Sequence, residues 1–184
     1  MISVKVSSTL SYYNIKVKDV LRNLQLASNP QAQIQDGTIV SKGVELEINA
    51  YLLKGFTAIA GFSYNDSKYT KADPSVADRR PNTSGSPYLA NLYASYQFLD
   101  GRFKGLGFGL GGNYASENKI YNSADGVFSL PSYVVLNASA YYDAKKFRIG
   151  VKVDNFTNQH YWIGYTTANP QRLINAVGTL TYKF

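Results

Sequence analysis

The feature that most constrains this chain is the regular alternation of its last fifteen residues, 170–184. Counting back from the carboxyl terminus, every second residue lies on a mostly apolar face, namely Phe184, Tyr182, Leu180, Gly178, Ala176 and Ile174. The residues between them are polar, with Val177 as the exception. A period of two is the side-chain rhythm of a β-strand with one apolar and one polar face. A long strand of this kind that ends on an aromatic residue is typical of a membrane-spanning barrel.

Strand-like sequence recurs along the chain, which predicts about eight antiparallel strands. Their predicted bounds are 2–17, 40–52, 55–70, 87–98, 103–116, 132–142, 146–158 and 172–184. Short turns at 53–54, 99–102 and 143–145 alternate with long polar loops at 18–39, 71–86, 117–131 and 159–171. Short turns on one side and long loops on the other describe an outer-membrane barrel rather than a soluble sandwich. We therefore predict an all-β fold, an antiparallel transmembrane β-barrel.

The first predicted strand changes face part-way along. One face carries Val4, Val6, Leu10 and Tyr12, and the opposite face then carries Tyr13, Ile15 and Val17. Two interpretations stay open. A β-bulge would shift the register in this way, whereas a short helix would account for the helical spacing of Val17, Val20, Leu21 and Leu24. We expect the strand to continue through Val17.

Composition agrees with a barrel and excludes several other classes. Tyrosine is abundant, with 16 of 184 residues, and it suits the boundary between lipid and water. No run of about 18 apolar residues occurs, which excludes a spanning helix. The chain has no cysteine, which excludes a disulfide framework, a thiolate metal site and a cysteine nucleophile. The net charge of +7 is scattered over strands and turns, so nucleic-acid binding is not indicated.

Catalytic chemistry is not indicated either. The single histidine, His160, lies in a predicted loop. Glu45 and Glu47 share one strand face as paired catalytic carboxylates would, but charges inside a barrel that pair with Arg or Lys explain them more simply. No HExxH, GxSxG or P-loop pattern occurs. We expect neither enzymatic activity nor a metal site.

Five segments carry short motifs in a fixed order. They are residues 35–47, 61–69, 80–92, 153–161 and 170–184. The first contains the pattern S-x-G-x-E-x-E, the second contains Tyr64-Asn65-Asp66, and the fourth contains Val153-Asp154-Asn155-Phe156. Together they resemble the TonB-dependent outer-membrane receptors, most securely from Gly37 onward, and the ending is similar to that of ferric-siderophore receptors.

The resemblance implies that residues 1–184 are the C-terminal part of a receptor barrel, about the last third of a wall of about 22 strands. The resemblance further implies that the plug domain and the segment that contacts TonB are absent from this chain. We also expect the signal peptide to be absent, because Met1 leads directly into strand-like sequence. The second interpretation is a self-contained eight-stranded barrel with a structural or binding role. A soluble β-sandwich adhesin is the third.

The function implied by the resemblance is TonB-dependent uptake of a ferric siderophore across a Gram-negative outer membrane. The iron arrives as a siderophore complex, so no intrinsic cofactor is expected. The implied partners are membrane lipid and lipopolysaccharide, the ferric siderophore, the missing plug and barrel strands, TonB through the plug, and the barrel assembly machinery.

Aromatic and cationic side chains near the loops are the candidates for holding such a chelate. They are Arg79, Arg80, Tyr121, Tyr161, Trp162, Tyr165 and Arg172. The three aromatics at 161–165 are also interpreted as girdle or loop-packing residues, and Arg79 and Arg80 as solvated or lipopolysaccharide-contacting residues. Tyr182 and Phe184 are the predicted assembly signal at the terminus.

Overall fold

The computed structural model describes residues 4–23, 28 and 31–184 and is almost entirely β-structure. In chain order the strands are β1 (Lys5–Asn23), β2 (Gln33–Leu53), β3 (Phe56–Lys71), β4 (Tyr88–Gln97), β5 (Leu106–Ala115), β6 (Asn118–Ser123), β7 (Gly126–Leu130), β8 (Tyr133–Asp143), β9 (Phe147–Asp154), β10 (Trp162–Ile163), β11 (Asn169–Pro170) and β12 (Asn175–Tyr182). A short 3₁₀ turn spans Asn82–Ser84. No helix among the described residues is long and apolar enough to cross a membrane.

Eight of these strands form one sheet in the order β1-β2-β3-β4-β5-β8-β9-β12. All neighbouring pairs are antiparallel, which confirms the predicted all-β antiparallel architecture. The sheet is open, with β1 and β12 as its two edges. In lipid an unpaired backbone group costs several kcal/mol, so each edge must pair, either with a further strand or with the other edge.

Strand register gathers the apolar residues on one face of the sheet, the apolar face. Leu46 lies opposite Phe62, which lies opposite Ala90, which in turn lies opposite Tyr114. The row continues to Val134 on β8. The other face, the polar face, aligns Glu47, Gly61, Asn91 and Asn113 across the same strands. The predicted alternation is therefore confirmed across the sheet.

Three glycines on the polar face of β5 leave room for two tyrosine rings. A Cβ atom on Gly109 would overlap the hydroxyl of Tyr93, and one on Gly107 would overlap the ring of Tyr141. The Tyr93 hydroxyl lies 3.0 Å from Ser139 Oγ. The Arg148 guanidinium lies 4.0 Å from the Tyr141 ring centroid, which is a favourable cation–π contact. The two tyrosine rings can lie flat against the sheet because the glycines of β5 have no side chains in the space that the rings occupy.

The predicted loop at 18–39 is wrong, because β1 and β2 run far beyond their predicted ends, to Asn23 and from Gln33. The predicted break between Tyr12 and Tyr13 is also absent: β1 pairs with β2 without interruption from Lys5 to Lys18. The bulge lies higher, where Asp19 has a φ of 59° and the register shifts on both sides of Val20. Gly37 stands opposite this bulge, and a Cβ there would lie 2.7 Å from the Val20 carbonyl oxygen.

The alternative helix is wrong over its described part, since Val17, Val20 and Leu21 are all in β1. Leu24 and the predicted strand start at residue 2 lie outside the described residues. Tyr13 belongs to the polar face because its hydroxyl accepts a hydrogen bond from Asn65 Nδ2 at 2.7 Å. A tyrosine counted as apolar in the sequence thus accepts a hydrogen bond from a polar side chain. The alternation of residues along β1 alone does not reveal this contact.

Two further loop predictions are wrong in detail. The segment 117–131 contains the hairpin β6–β7, and 159–171 contains the short pair β10–β11. The turn at 99–102 is longer than predicted, since β4 ends at Gln97 and β5 begins at Leu106. The strand β9 ends at Asp154 because Asn155 and Asn158 take positive φ angles of 51° and 54°.

Candidate functional site

All the long connections lie on one side of the sheet, the loop side, and they carry every predicted ligand-binding residue. The turns at the opposite ends of the strands form the turn side. On the loop side β1 and β2 reach far beyond the apolar face, since about ten residues per strand suffice to cross a bilayer and β2 has 21. The candidate site is therefore built from strand extensions, two hairpins and a 3₁₀ turn.

Bulges on β1, β2 and β3 turn four charged residues toward one another. This charged cluster consists of Arg22, Asp36, Lys71 and Asp73. The Arg22 guanidinium donates to both carboxylate oxygens of Asp36, at 2.5 and 3.1 Å. Lys71 Nζ lies 2.8 Å from Asp36 Oδ2, and Arg22 Nη1 lies 3.8 Å from Asp73 Oδ1. This bidentate geometry is the strong form of an arginine–carboxylate pair.

The two cations determine the ionisation of Asp36. Hydrogen bonds from Arg22, and then from Lys71, lower the pKa of Asp36 from 3.8 to about 2. The same hydrogen bond with Asp36 raises the pKa of Arg22 above its ordinary value. The group lies beyond the apolar face. Asp73 is buried, Arg22 and Asp36 are half-buried and Lys71 is exposed, so salt in the medium weakens the attraction of Lys71 most.

The Arg80 guanidinium donates hydrogen bonds to parts of the chain that are distant in sequence. Nη1 donates to the Asn65 carbonyl oxygen at 2.7 Å, and Nη2 donates to Asn65 Oδ1 at 2.8 Å and to the Ser84 carbonyl oxygen at 3.2 Å. Nε donates to the Gly85 carbonyl oxygen at 3.1 Å. Burial lowers the pKa of Arg80 from its ordinary value, but an arginine stays charged at any physiological pH. This side chain connects β3 to the 3₁₀ turn.

Asn65 is the centre of a hydrogen-bond network across three strands. Its Nδ2 donates to Tyr13 Oη on β1 and to Ser41 Oγ on β2, and its Oδ1 accepts from Ser67 Oγ at 2.8 Å. Together with the bonds from Arg80, each atom of the amide has at least two partners. The network holds the extended parts of β1, β2 and β3 in register above the apolar face.

A polar cavity of about 310 Å³ lies between the charged cluster, the β6–β7 hairpin and Arg80. Its lining includes Tyr69, Asp73, Arg80 and Tyr121. Tyr121 is on β6 and about half exposed. The structure therefore brings two predicted site residues, Arg80 and Tyr121, to one cavity.

Arg79 points to a neighbouring cavity of about 480 Å³ that also contains Asp78, Glu117 and Lys119. Its Nη1 makes one long hydrogen bond, 3.4 Å, to Asn122 Oδ1. Asn122 Nδ2 in turn donates to the Arg80 carbonyl oxygen at 3.0 Å. Adjacent arginines thus differ sharply in how firmly their guanidinium groups are held.

A third cavity, of about 420 Å³, has no charged side chain in its lining. We refer to it as the uncharged pocket; its main walls are Asn118, Tyr133, Trp162 and Tyr165. Trp162 and Tyr165 were both predicted as site residues, and their exposed fractions are 39% and 60%. Tyr161 stands behind this pocket, with its ring centroid 4.6 Å from that of Tyr133.

Asn155 fixes the segment that carries these aromatics, and sequence reasoning did not single it out as a site residue. Its Nδ2 donates to the carbonyl oxygens of Gln159 and Arg172, at 2.9 and 3.2 Å, and its Oδ1 accepts from Gln159 N at 2.8 Å. Its backbone N donates to Asn137 Oδ1 on β8 at 3.0 Å. The side chain is buried and the φ is positive, so an asparagine suits this junction.

The remaining predicted residues are separate from these cavities' main walls. Arg172 is exposed and contributes its carbonyl oxygen to Asn155. Tyr182 ends β12 and its ring meets that of Phe184 edge-on, with centroids 5.3 Å apart. Within the described part of the chain, no group of three or more His, Cys, Asp or Glu side chains could hold a metal ion.

The outward side of the sheet becomes basic just above the apolar residues. Lys16 lies opposite Val40, which lies opposite Lys68, and one step lower Asn14, Lys42 and Asp66 are aligned. We call the exposed set Lys16, Lys42 and Lys68 the lysine row. Its nearest acid is Asp66, 3.8 Å from Lys68 Nζ.

Comparison with known families identifies this arrangement. Residues 4–156 match the family described as TonB dependent receptor-like, beta-barrel. The chain belongs to this family. The recognition made from the motifs is thereby confirmed, and the family and its relatives place the chain in the Gram-negative outer membrane, so the loop side faces outward from the cell.

Curated relatives match most of the chain. The ferrichrome outer membrane transporter/phage receptor of Escherichia coli is 27% identical over 153 residues, covering 79% of this chain and 20% of that protein. The ferric-pyoverdine BN7/BN8 receptor of Pseudomonas putida is 31% identical, covering 86% of this chain and 18% of that protein. These relatives are named as receptors or transporters. The chain spans about a fifth of their length.

Solved structures share the fold. The pyoverdine outer membrane receptor FpvA of Pseudomonas aeruginosa superposes with a TM-score of 0.79 at 22% identity, covering 97% of this chain and 27% of that chain. The siderophore receptor PiuA of Acinetobacter baumannii gives a TM-score of 0.78 at 20% identity, covering 97% of this chain and 26% of that one. At such identities the likeness concerns the architecture.

Proposed function

We propose that this chain forms the C-terminal part of the wall of a TonB-dependent receptor that imports a ferric siderophore. The observation that carries the proposal is that cavities of different chemistry lie together on the loop side of a sheet of this family. The polar cavity beside the charged cluster contains arginines, and the uncharged pocket is lined by aromatic rings. Aromatic and cationic groups bind a chelate by stacking, hydrogen bonds and charge. The chelate supplies its own iron ligands, so the iron is cargo and the chain needs no cofactor.

The open edges support partnership with further strands. β1 and β12 each have one side without a neighbour in the described sheet, and such edges are costly in lipid. Earlier barrel strands of the same receptor would pair with both. A plug inside the closed barrel would transmit the pull of TonB. Tyr182 and Phe184 would be recognised by the barrel assembly machinery at the exposed end of β12.

The lysine row supports lipopolysaccharide as the surrounding lipid. Three outward cations lie just above the apolar face, at the level where the outer leaflet has its phosphate groups. A cation near an anionic lipid surface contributes about 1 kcal/mol. Arg79 and Arg80, considered above for the same role, line cavities instead.

The test is transport by a chimaera. Residues 4–184 replace the matching last fifth of the Escherichia coli ferrichrome transporter in a strain that lacks its own. We expect iron-limited growth on at least one of ferrichrome, ferrioxamine B and ferripyoverdine, and loss of that growth when TonB is deleted. A chimaera that reaches the outer membrane yet supports no uptake of any ferric chelate would refute the proposal.

The second candidate is a self-contained eight-stranded barrel. The electrophoretic mobility of the chain by itself distinguishes it from the first. Residues 1–184 are fused to a secretion signal, and outer membranes are run on gels with and without boiling. A heat-dependent shift at the size of this chain would mean that the eight strands close by themselves. Degraded or aggregated chain would mean that the β1 and β12 edges need partner strands.

A further inference from the structure

A shallow groove crosses the apolar face close to the turn side. Its volume is about 560 Å³, and its lining comes from β5, β8, β9 and β12. In one row of the sheet Ala140 lies opposite Val151, which lies opposite Gly178. The next row toward the turn side has larger side chains, Tyr142, Ile149 and Leu180. The two small residues of the first row thus leave a depression that larger residues border.

Gly178 marks the open part of this groove. The residue is exposed on the apolar face of β12, and a Cβ atom placed on it would have no heavy atom within 4 Å apart from its chain neighbours. The groove opens outward from the sheet, toward the hydrocarbon of the membrane. Carbon atoms that face an unfilled space lose dispersion contacts. An acyl chain of a lipid therefore gains contacts by lying in the groove.

Exposed cations lie just beyond the end of the groove, in two turns that are bonded to each other. The backbone N of Asp143 donates to the Gly105 carbonyl oxygen at 2.8 Å, which joins the turn after β8 to the turn before β5. In the described part of the chain none of the four cations forms an ion pair. We call them the basic turns: Arg102, Lys104, Lys145 and Lys146.

The carboxylates of these two turns do not neutralise the basic turns. Asp143 accepts a hydrogen bond from Lys183 Nζ, which also donates to the Ala144 carbonyl oxygen at 3.1 Å. Asp100 is the one other acid in residues 97–105 and 143–147, and it is exposed. Four cations thus stand against a single acid that has no cation of its own among the described residues. An anion is attracted to this end of the groove.

Aromatic rings lie beside the same cations. Phe103 stands between Arg102 and Lys104 in the sequence, and its ring centroid is 5.8 Å from that of Phe98. Phe147 follows Lys146 directly and lies 6.2 Å from the Tyr142 ring that lines the groove. Exposed rings next to cations on long flexible stems are typical of the boundary between lipid and water. This favours a lipid over an acidic protein as the partner.

We propose that the groove and the basic turns together bind one anionic phospholipid of the inner leaflet of the outer membrane. An acyl chain lies along Ala140 and Gly178, and the phosphate group lies beside the basic turns. The loop side faces out of the cell, so the turn side is at the level of the inner leaflet. Basic pockets at this boundary attract anionic head groups. The inference goes beyond the proposed function, because it concerns the surrounding lipid and not the imported chelate.

The experiment measures lipid binding to the whole receptor that carries this chain. The receptor is purified in a neutral detergent, and native mass spectrometry measures the bound lipid during titration. Two probes share their acyl chains and differ in charge: phosphatidylglycerol and phosphatidylethanolamine. Glycerol phosphate provides the anion without chains, and a polyglutamate peptide represents an acidic protein partner. The part of the binding that belongs to the groove is the difference between the wild type and the variants below.

The basic turns are tested by removing their lysines. In the wild type we expect phosphatidylglycerol to bind at least about fivefold more tightly than phosphatidylethanolamine, with a smaller difference in high salt. Replacing Lys104, Lys145 and Lys146 together by glutamine should reduce this preference to less than about twofold. The matched control replaces the three lysines of the lysine row, which removes the same charge from the other side of the membrane. It should leave the preference intact.

The groove is tested by filling it. Gly178→Leu places a side chain in open space, so the strand is not strained and the acyl chain loses its place. Both phospholipids should then bind more weakly, by about threefold or more. Ala176→Leu is the matched control, because Ala176 lies on the same face of β12 but outside the lining. It should bind both lipids as the wild type does.

Three results would overturn the proposal. The first is equal binding of the two phospholipids by the wild type, which decides the matter even if a variant does not assemble. The second is unchanged lipid binding by the Gly178→Leu receptor. The third is binding of glycerol phosphate or of the polyglutamate peptide as tightly as phosphatidylglycerol, which would indicate a site for small anions or for a protein. Uptake of a ferric chelate is measured separately, and its failure would leave the lipid site standing.

Discussion

Two regions of the loop side differ in how fully their polar groups are hydrogen-bonded. The charged half contains the charged cluster and Arg80, and the other half surrounds the uncharged pocket. Around the charged cluster and Arg80, strong donors and acceptors find partners within the chain, as the four hydrogen bonds of Arg80 illustrate. Around the uncharged pocket, three aromatic rings line the cavity, and the buried Oδ1 of Asn118 has no hydrogen-bond partner among the described residues. The first region is held by its own hydrogen bonds, and the second leaves one buried acceptor unpaired.

The difference shows that residue type alone is a poor guide to a binding site. Arginine is the usual choice for holding an anionic chelate, yet Arg80 is occupied by backbone carbonyl oxygens. Asn118 is an ordinary residue type in a polar stretch, yet its buried Oδ1 has no partner among the described residues. What a side chain has left after its internal contacts matters more than its charge.

The largest expected effect separates the adjacent arginines. Arg80→Met should lower the free energy of unfolding by about 2–4 kcal/mol, because it leaves Asn65 and two loop carbonyl oxygens without their donor in a half-buried position. Arg79→Met, the matched control, loses only one long bond and should cost less than about 1 kcal/mol. The measurement is the urea midpoint of the heat-dependent gel shift. Equal midpoints for the two variants would show that the charged half is not held by Arg80.

A substitution of Asn155 tests whether this residue positions the segment that carries the aromatic rings of the uncharged pocket. Asn155→Ala removes three side-chain hydrogen bonds and should cost about 2 kcal/mol, given that buried partners lose theirs. The uncharged pocket should lose its shape at the same time, seen as a red shift of Trp162 emission. Thr157→Ala, two residues away, serves as the control. A stable Asn155→Ala protein with unchanged emission would mean that the aromatics are positioned by other contacts.

Acid should loosen the charged half selectively. The pKa of Asp36 is lowered from 3.8 to about 2, so the carboxylate stabilises the native cluster above pH of about 4, and this contribution is lost as the pH falls toward 2. Asp36→Asn removes the dependence. The rate of pepsin cleavage in the β1–β2 hairpin should therefore rise between pH 4 and 2 in the wild type, approaching the rate of the variant. Parallel pH profiles for the two proteins would contradict the assignment, and Asp100→Asn in a turn-side loop is the control.

The smallest effect belongs to the lysine row. Replacing Lys16, Lys42 and Lys68 by glutamine should reduce the lipopolysaccharide that copurifies with the protein by a few fold, since each cation contributes about 1 kcal/mol at most near an anionic surface. The urea midpoint of the heat-dependent gel shift should stay unchanged, because the row lies on the outward face, away from the hydrogen bonds of Arg80. Unaltered lipopolysaccharide content in low salt would exclude this face as the contact.

Sequence reasoning succeeded where the cause is local. The alternation that places Leu46, Phe62 and Tyr114 on one face needs only the period of a strand, and the structure aligns them across the sheet. The β6–β7 hairpin was also within reach, because an Asp-Gly pair such as Asp125-Gly126 is a strong hairpin signal. It was missed because the polar stretch around it looked like a loop.

The rest depends on contacts distant in sequence. The bulge at Asp19 requires Gly37 on the neighbouring strand, and the partners of Arg80 include residue 65, fifteen positions earlier. The orientation of the Asn118 amide depends on Gly164, 46 positions later, whose carbonyl oxygen accepts the hydrogen bond from Nδ2. No pattern in the segment 116–123 carries that information. The candidate aromatics at 162 and 165 were identified from residue type, while their companion at 118 required the fold.

The unequal strand lengths have a consequence for what can reach the cell surface. With a rise of about 3.3 Å per residue, the 21 residues of β2 extend about 70 Å and the 8 residues of β12 about 26 Å. An antibody or another bulky particle arriving from outside therefore meets the β1–β2 hairpin long before it meets the rim at β12. We therefore expect the β1–β2 hairpin to block the approach of large particles sterically, while small molecules pass it and reach the loops beside β12.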